Sequence, residues 1–134
     1  MKRVLGMGGV FFKADDPKAL KKWYETHLGI APDVDGYVSF HLRDEADLER
    51  KARMAWEAFS SDTKYFQPSD KDYMFNYRVA DLDGLLAVLK EEGIDQCGEV
   101  EDEGYGRFAW IMDPEGNKIE LWEPPALEPA PESE

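Results

Sequence analysis

The sequence predicts an α+β fold made of two similar halves, each running β-α-β-β-β, and three observations carry that reading. Sliding the chain against itself by 65 residues places GVFFKADD (Gly9 to Asp16) on MFNYRVAD (Met74 to Asp81), two strand-like segments of matching pattern. The same offset carries Leu20 onto Leu85, Trp23 onto Val88 and Tyr24 onto Leu89, an apolar stripe at i, i+3 and i+4 of an amphipathic helix. Both helices then stop on glycine, Gly29 before Ile30 and Gly93 before Ile94, where a left-handed residue closes the last turn.

The first strand holds Val10, Phe12 and Ala14 on one face and Gly9, Phe11 and Lys13 on the other. Asp16 caps the first helix with Pro17 at its first position, and Trp23 and Tyr24 are expected in the core beneath it. Strand-like segments follow at Gly36 to Leu42 and Ala52 to Phe59, with Ala46 to Lys51 as a charged connection. The polar, proline-punctuated stretch from Phe66 to Asp72 reads as the linker between halves.

The second half opens on a strand with Phe75, Tyr77 and Val79 toward its helix and Met74, Asn76 and Arg78 opposite. Asp81 is the helix cap. Three strands follow, Glu99 to Glu103, Gly106 to Met112 and Lys118 to Trp122, with Asp113-Pro114-Glu115-Gly116-Asn117 as the last turn. The chain is thus expected to be one domain over residues 1–125, its modules about 1–66 and 67–125, before an acidic Pro/Glu tail at 126–134 expected to be disordered.

Composition bounds what such a domain does. The chain of 134 residues can bury roughly 70% of its unfolded surface. Its formal charge of −13 repels phosphate backbones and anionic membranes, so neither nucleic acid nor a membrane is the expected partner. Cys97 is the only cysteine, which leaves no intrachain disulfide and fits a reducing cytoplasm. The basic and apolar opening is broken by Lys13, Asp15 and Asp16 before it reaches secretory length, and no apolar run is long enough to span a membrane.

Asp16-Pro17 with Trp23-Tyr24 and Leu28-Gly29, then Val79-Ala80-Asp81-Leu82, then Asp113-Pro114-Glu115-Gly116-Asn117 with Glu120-Leu121 resemble the vicinal oxygen chelate superfamily. That group includes glyoxalase I, the bleomycin-resistance proteins and the extradiol dioxygenases, and the resemblance, of the glyoxalase-like kind, covers nearly all of residues 4 to 123. It implies paired βαβββ modules forming a curved mixed sheet around a cavity, commonly completed by dimerisation, so a homodimer is expected.

The resemblance also places a metal site, with ligands near the start of the first strand and the end of the last strand of each module. Those positions hold Gly9, Met74, Glu120 and, in the first module, a residue near Trp56 or Glu57. Glycine offers no ligand and a thioether suits soft ions, so at most the weak candidates Glu120 and Glu57 remain and no metal cofactor is expected beyond weak divalent binding. His27 sits in the last turn of a helix, where a cation favours the dipole, and His41 lies in a strand facing either cavity or solvent. Gly6, Gly8 and Gly9 precede a strand rather than a helix and are not a phosphate loop; they allow close approach or a bend.

The expected cavity residues are Phe11, Lys13, Trp56, Asn76, Arg78, Tyr105, Arg107 and Trp110, with Glu120 as a catalytic candidate. Lys13 and Arg78 hold equivalent places in the two modules, and as a cationic pair beside aromatic side chains they would suit a flat, aromatic, anionic small molecule. Two functions follow: a metal-free small-molecule-binding protein akin in shape to the resistance proteins, or a metal-assisted lyase or isomerase using Glu120 as base.

Overall fold

The two halves meet strand to strand. The structure, a computed structural model, describes residues 3–34, 36–43 and 51–125. In chain order these form β1 (Val4–Ala14), α1 (Pro17–Leu28), β2 (Val38–Arg43), β3 (Lys51–Ser60), β4 (Tyr73–Val79), α2 (Leu82–Glu91), β5 (Glu101–Glu103), β6 (Gly106–Met112) and β7 (Lys118–Glu123). All seven strands join in one curled, mixed sheet ordered β2-β3-β1-β4-β7-β6-β5. β1 and β4, the first strands of the two modules, run antiparallel at its centre, and each pairs in parallel with the last strand of its own module. Val10 lies opposite Phe75, so the residues related by the 65-residue repeat face each other there and mark the local twofold.

The helix signals act as the sequence indicates. Asp16 accepts from the Ala19 amide and Asp81 from the Gly84 amide, each at 3.0 Å, and Gly29 closes α1 at φ +70°. The turn before β7 is held by Asp113, whose carboxylate accepts from the Glu115 and Asn117 amides and from Asn117 Nδ2.

Two expectations are corrected. Three strands were expected after each helix; among the described residues the first module shows the two placed at Gly36 to Leu42 and Ala52 to Phe59, as β2 and β3, and residues 29–34, 36 and 37 form no strand. Trp23 and Tyr24 were expected in the core, but α1 has no buried residue and Trp23 is 51% exposed. Tyr24 of α1 packs on Trp56, which packs in turn on Phe12, whereas α2 buries Leu82, Leu85, Leu86 and Leu89 against Val79, Ala109 and Leu121. Each of those leucines contributes about 1.5–3 kcal/mol of burial, so the second module carries the main core. The connection expected over 46–51 lies outside the described residues except for Lys51, and so does the tail at 126–134. Among the described residues no helix is long and apolar enough to cross a membrane.

Candidate functional site

Alternation decides what faces the inside of the curl. Counting along each strand from the Asn76–Glu120 pairing, the inner face carries Phe11 and Lys13 on β1, Glu57 and Phe59 on β3, Asn76 and Arg78 on β4, Phe108 and Trp110 on β6, and Lys118, Glu120 and Trp122 on β7. β1 shifts register between Met7 and Gly9, a bulge that inserts Gly8 beside Asn76. Glycine is required there because a Cβ would overlap Asn76 Oδ1 and press on Arg78 and Trp122. The cavity over this face measures about 430 Å³.

Its floor is a carboxylate held by uncharged donors. Asn76 Nδ2 donates to Glu120 Oε1 at 2.6 Å, and Trp110 Nε1 donates to Oε2 at 2.9 Å. The Tyr65 hydroxyl donates to the same Oε2. Glu120 is 2% exposed, and all three partners present hydrogens, the arrangement an ionised carboxylate needs when buried. Burial, and then the charge of Glu120, raise the Tyr65 pKa far above the ordinary tyrosine range, so its hydroxyl keeps the proton it donates. Asn76 is 2% exposed, and its Oδ1 is buried without a hydrogen-bond partner, lying over Gly8.

Tyr65 comes from the segment between modules, which crosses the inner face rather than running free. Its ring stacks on Phe59 at 5.5 Å, and Phe66 beside it is fully buried with Met74 and Trp110. Lys118 ties the segment down: its Nζ donates to the Tyr65 carbonyl at 2.7 Å and lies over the Tyr65 and Trp110 rings. Burial lowers the Lys118 pKa.

Of the residues singled out from the sequence, Phe11, Asn76, Tyr105, Trp110, Glu57 and Glu120 line the cavity. Trp56 borders it too, although its ring packs on Phe12 and Tyr24 beneath α1. Lys13 and Arg78 share the inner face but not the cavity lining, and Arg107 lies off that face. β1 and β4 are antiparallel about Val10 and Phe75, so Lys13 and Arg78 stand three residues beyond the twofold in opposite directions, about 20 Å apart along the strands. Lys13 lies over the Phe66 ring, and Arg78 is buried across Gly6 and Gly8 with Nε donating to the Met7 carbonyl. Arg107 falls on the helix side and makes a bidentate pair with Asp83 at 2.9 Å. His27 packs its ring on Trp23, and His41 stands 3.9 Å from Asp33.

Register also settles the counterpart of Glu120. Phe11 pairs with Glu57 as Asn76 pairs with Glu120, so the equivalent residue is Glu57, not Trp56. β2 begins opposite Trp56, and at the edge of β3 beyond that pairing Glu57 Oε1 accepts from Lys21 Nζ at 2.7 Å and from the Ala58 amide. The residues at the metal positions implied by the resemblance do not suit a hard divalent ion. A side chain at Gly9 would crowd the Ala55 carbonyl and the Phe11 ring, Met74 is packed inside an apolar cluster, and both oxygens of Glu120 already accept. Among the described residues no three His, Cys, Asp or Glu side chains converge.

The sequence reading missed Tyr65, Phe108, Trp122 and the acidic pair Glu101 and Glu103, all of which line the cavity. Alternation from Trp110 and Glu120 would have found Phe108 and Trp122. Tyr65 had no periodic signal because it lies outside any strand or helix.

No family model matches the chain, and no curated protein matches it. Solved structures do. Methylmalonyl-CoA epimerase from Mycobacterium tuberculosis is 24% identical, with a TM-score of 0.59 over 91% of this chain and 89% of that one. A variant of Streptomyces coelicolor methylmalonyl-CoA epimerase in complex with 2-nitronate-propionyl-CoA is 15% identical, with a TM-score of 0.66 over 92% and 99%. A Legionella pneumophila protein described as an NAD-dependent benzaldehyde dehydrogenase is 13% identical, with a TM-score of 0.55 over 87% and 98%. The chain has the vicinal oxygen chelate fold, and proteins described by unlike activities share that shape.

Proposed function

We propose that the chain is a small-molecule-binding protein of the glyoxalase and bleomycin-resistance kind, working without a resident metal, with the aromatic cavity over Glu120 as its binding site. The observation that carries this reading is the state of Glu120: the carboxylate that a metal would need is engaged by Asn76, Trp110 and Tyr65. A cavity of about 430 Å³ walled by aromatic rings with a few convergent polar groups is the ordinary form of a small-molecule site. The alternative, a metal-assisted lyase or isomerase, draws support from the epimerase neighbours, but three of the roughly four acceptor sites of Glu120 already take hydrogens from the protein.

The test is a calorimetric titration of chelator-treated protein with a panel of aromatic small molecules. Saturable one-to-one binding that added Zn, Ni or Mn leaves unchanged is the expected result. Binding or turnover that appears only with the metal would favour the enzyme.

The homodimer is retained as part of this proposal. Trp23 and Leu28 on α1 and Tyr37, Phe40 and Leu42 around β2 are exposed apolar side chains in the same module, and a second copy would cover them. Sedimentation at micromolar concentration reads the state directly, and a particle of one chain's mass would exclude the dimer.

A further inference from the structure

The charges that reach the cavity have the opposite sign from the cations first picked out of the sequence. Glu57, Glu101, Glu103 and Glu120 line it against the guanidinium of Arg53 among the described residues. The basic residues that would offset them are turned to other work: Arg107 pairs with Asp83 on the helix side, Lys13 covers Phe66 and Lys118 holds the Tyr65 carbonyl. Of the four carboxylates, Glu57 is partly neutralised by Lys21, whereas Glu101 and Glu103 stand exposed on the inner side of β5, opposite Phe108 and Gly106.

Two further observations point the same way. Burial and then Glu120 and Glu101 raise the Tyr65 pKa at the floor, and burial and then Glu103, Tyr37, Glu120 and Glu101 raise that of Tyr105 at the rim, so the carboxylates act at both ends of the cavity. At the floor, Glu120 Oε1 and the unpartnered Asn76 Oδ1 are two acceptors on adjacent strands, and the amide of Asn76 supplies the donor recorded at Oε1. A ligand carrying nitrogen-bound hydrogens or positive charge would complement them; a carboxylate would meet repulsion. Around this floor Phe11, Tyr105, Phe108, Trp110 and Trp122 line the cavity with aromatic rings, Phe108 and Trp122 stacked within 2° of parallel. Aromatic faces attract cations as well as other rings.

From these placements, and resting on the binding reading above, we infer that the cavity selects a flat aromatic cation rather than an anion.

The experiment compares three probes of one ring size at pH 7.5: N-methylquinolinium as the cation, quinoline as the neutral ring and naphthalene-2-carboxylate as the anion. Each is titrated calorimetrically into the full-length protein at low and high salt, and into the Glu101→Gln/Glu103→Gln variant, whose exposed substitutions leave the core untouched. The inference predicts that the cation binds at least about tenfold more tightly than the neutral ring, that the anion binds weakest, and that salt and the double variant each weaken the cation alone. Equal affinity for cation and neutral ring would overturn the charge selection and leave the aromatic binding site standing. Preference for the anion would also overturn it. Failure of all three probes to bind would remove the binding reading itself.

Discussion

Glu57 and Glu120 stand on equivalent rungs of the two modules, opposite Phe11 and Asn76, yet Glu57 takes a lysine at an open edge while Glu120 takes three uncharged donors in the cavity floor. The extent of pairing on the outer side of β3 and of β7 creates that difference. Because β2 begins only at Val38, opposite Trp56, the edge of β3 beyond is open to Lys21, whereas β6 covers the corresponding side of β7 and supplies the Trp110 indole.

The donor cage makes a prediction about substitution at its centre. Glu120→Gln keeps one acceptor, and the Asn76 amide can turn its Oδ1 toward the new N–H, so stability should change by no more than about 1 kcal/mol. Glu120→Leu leaves the Asn76 amide and the Trp110 indole buried without partners, which costs about 1–3 kcal/mol for each. Urea denaturation of both variants separates the two outcomes, and equal loss in both would refute the cage.

Tyr65 ties the same cage to pH. Its pKa is raised on folding, so its contribution is whole below the unfolded value of about 10 and is lost as pH rises beyond it. Tyr65→Phe should cost about 1 kcal/mol at neutral pH, a modest figure because the residue keeps 38% of its surface exposed, and should flatten the decline in stability at alkaline pH. Urea midpoints of wild type and variant from neutral to strongly alkaline pH check this; parallel curves would place the alkaline transition elsewhere.

Gly8→Ala probes the bulge. The added methyl meets Asn76 Oδ1, Arg78 and Trp122, so it should cost about 1–3 kcal/mol and displace Asn76 from Glu120. The same substitution at Gly104, where a Cβ meets nothing, should be nearly neutral in the same thermal melt. Similar effects at both glycines would mean that the bulge is not tightly packed.

The two helices differ in the same measurable way. Leu85→Ala on α2 should cost about 2–5 kcal/mol, since its side chain is 3% exposed in the main core. Trp23→Ser on α1 should cost well under 1 kcal/mol in the monomer. A large loss at low protein concentration for Trp23→Ser would show that α1 packs more deeply than described.

Much of the architecture was legible because its signals are local and repeated. Asp16, Asp81, Gly29 and the Asp113–Asn117 turn act through hydrogen bonds within a few residues, and the 65-residue offset even marks the central rung, where Val10 meets Phe75. What could not be read depends on contacts distant in sequence. The stripe of Leu20, Trp23 and Tyr24 reports a helix face but not how deeply that face is packed, and α1 buries none of its residues. Equivalence of Lys13 and Arg78 was visible, but the antiparallel sense of β1 and β4, which carries them to opposite ends, was not. Alternation brought Phe11, Asn76, Trp110 and Glu120 to one wall, while Tyr65 reached the floor from a segment that carries no periodicity.

The central claim is that Glu120 is satisfied by its neighbours and that the cavity takes a small organic ligand without a resident metal. Native mass spectrometry of gently purified protein, with elemental analysis of the same sample, tests it most directly. The account predicts less than stoichiometric divalent metal, and a chain mass that rises on addition of a small aromatic molecule. One tightly bound Zn, Ni, Mn or Fe per chain, released together with ligand binding on chelation, would contradict it.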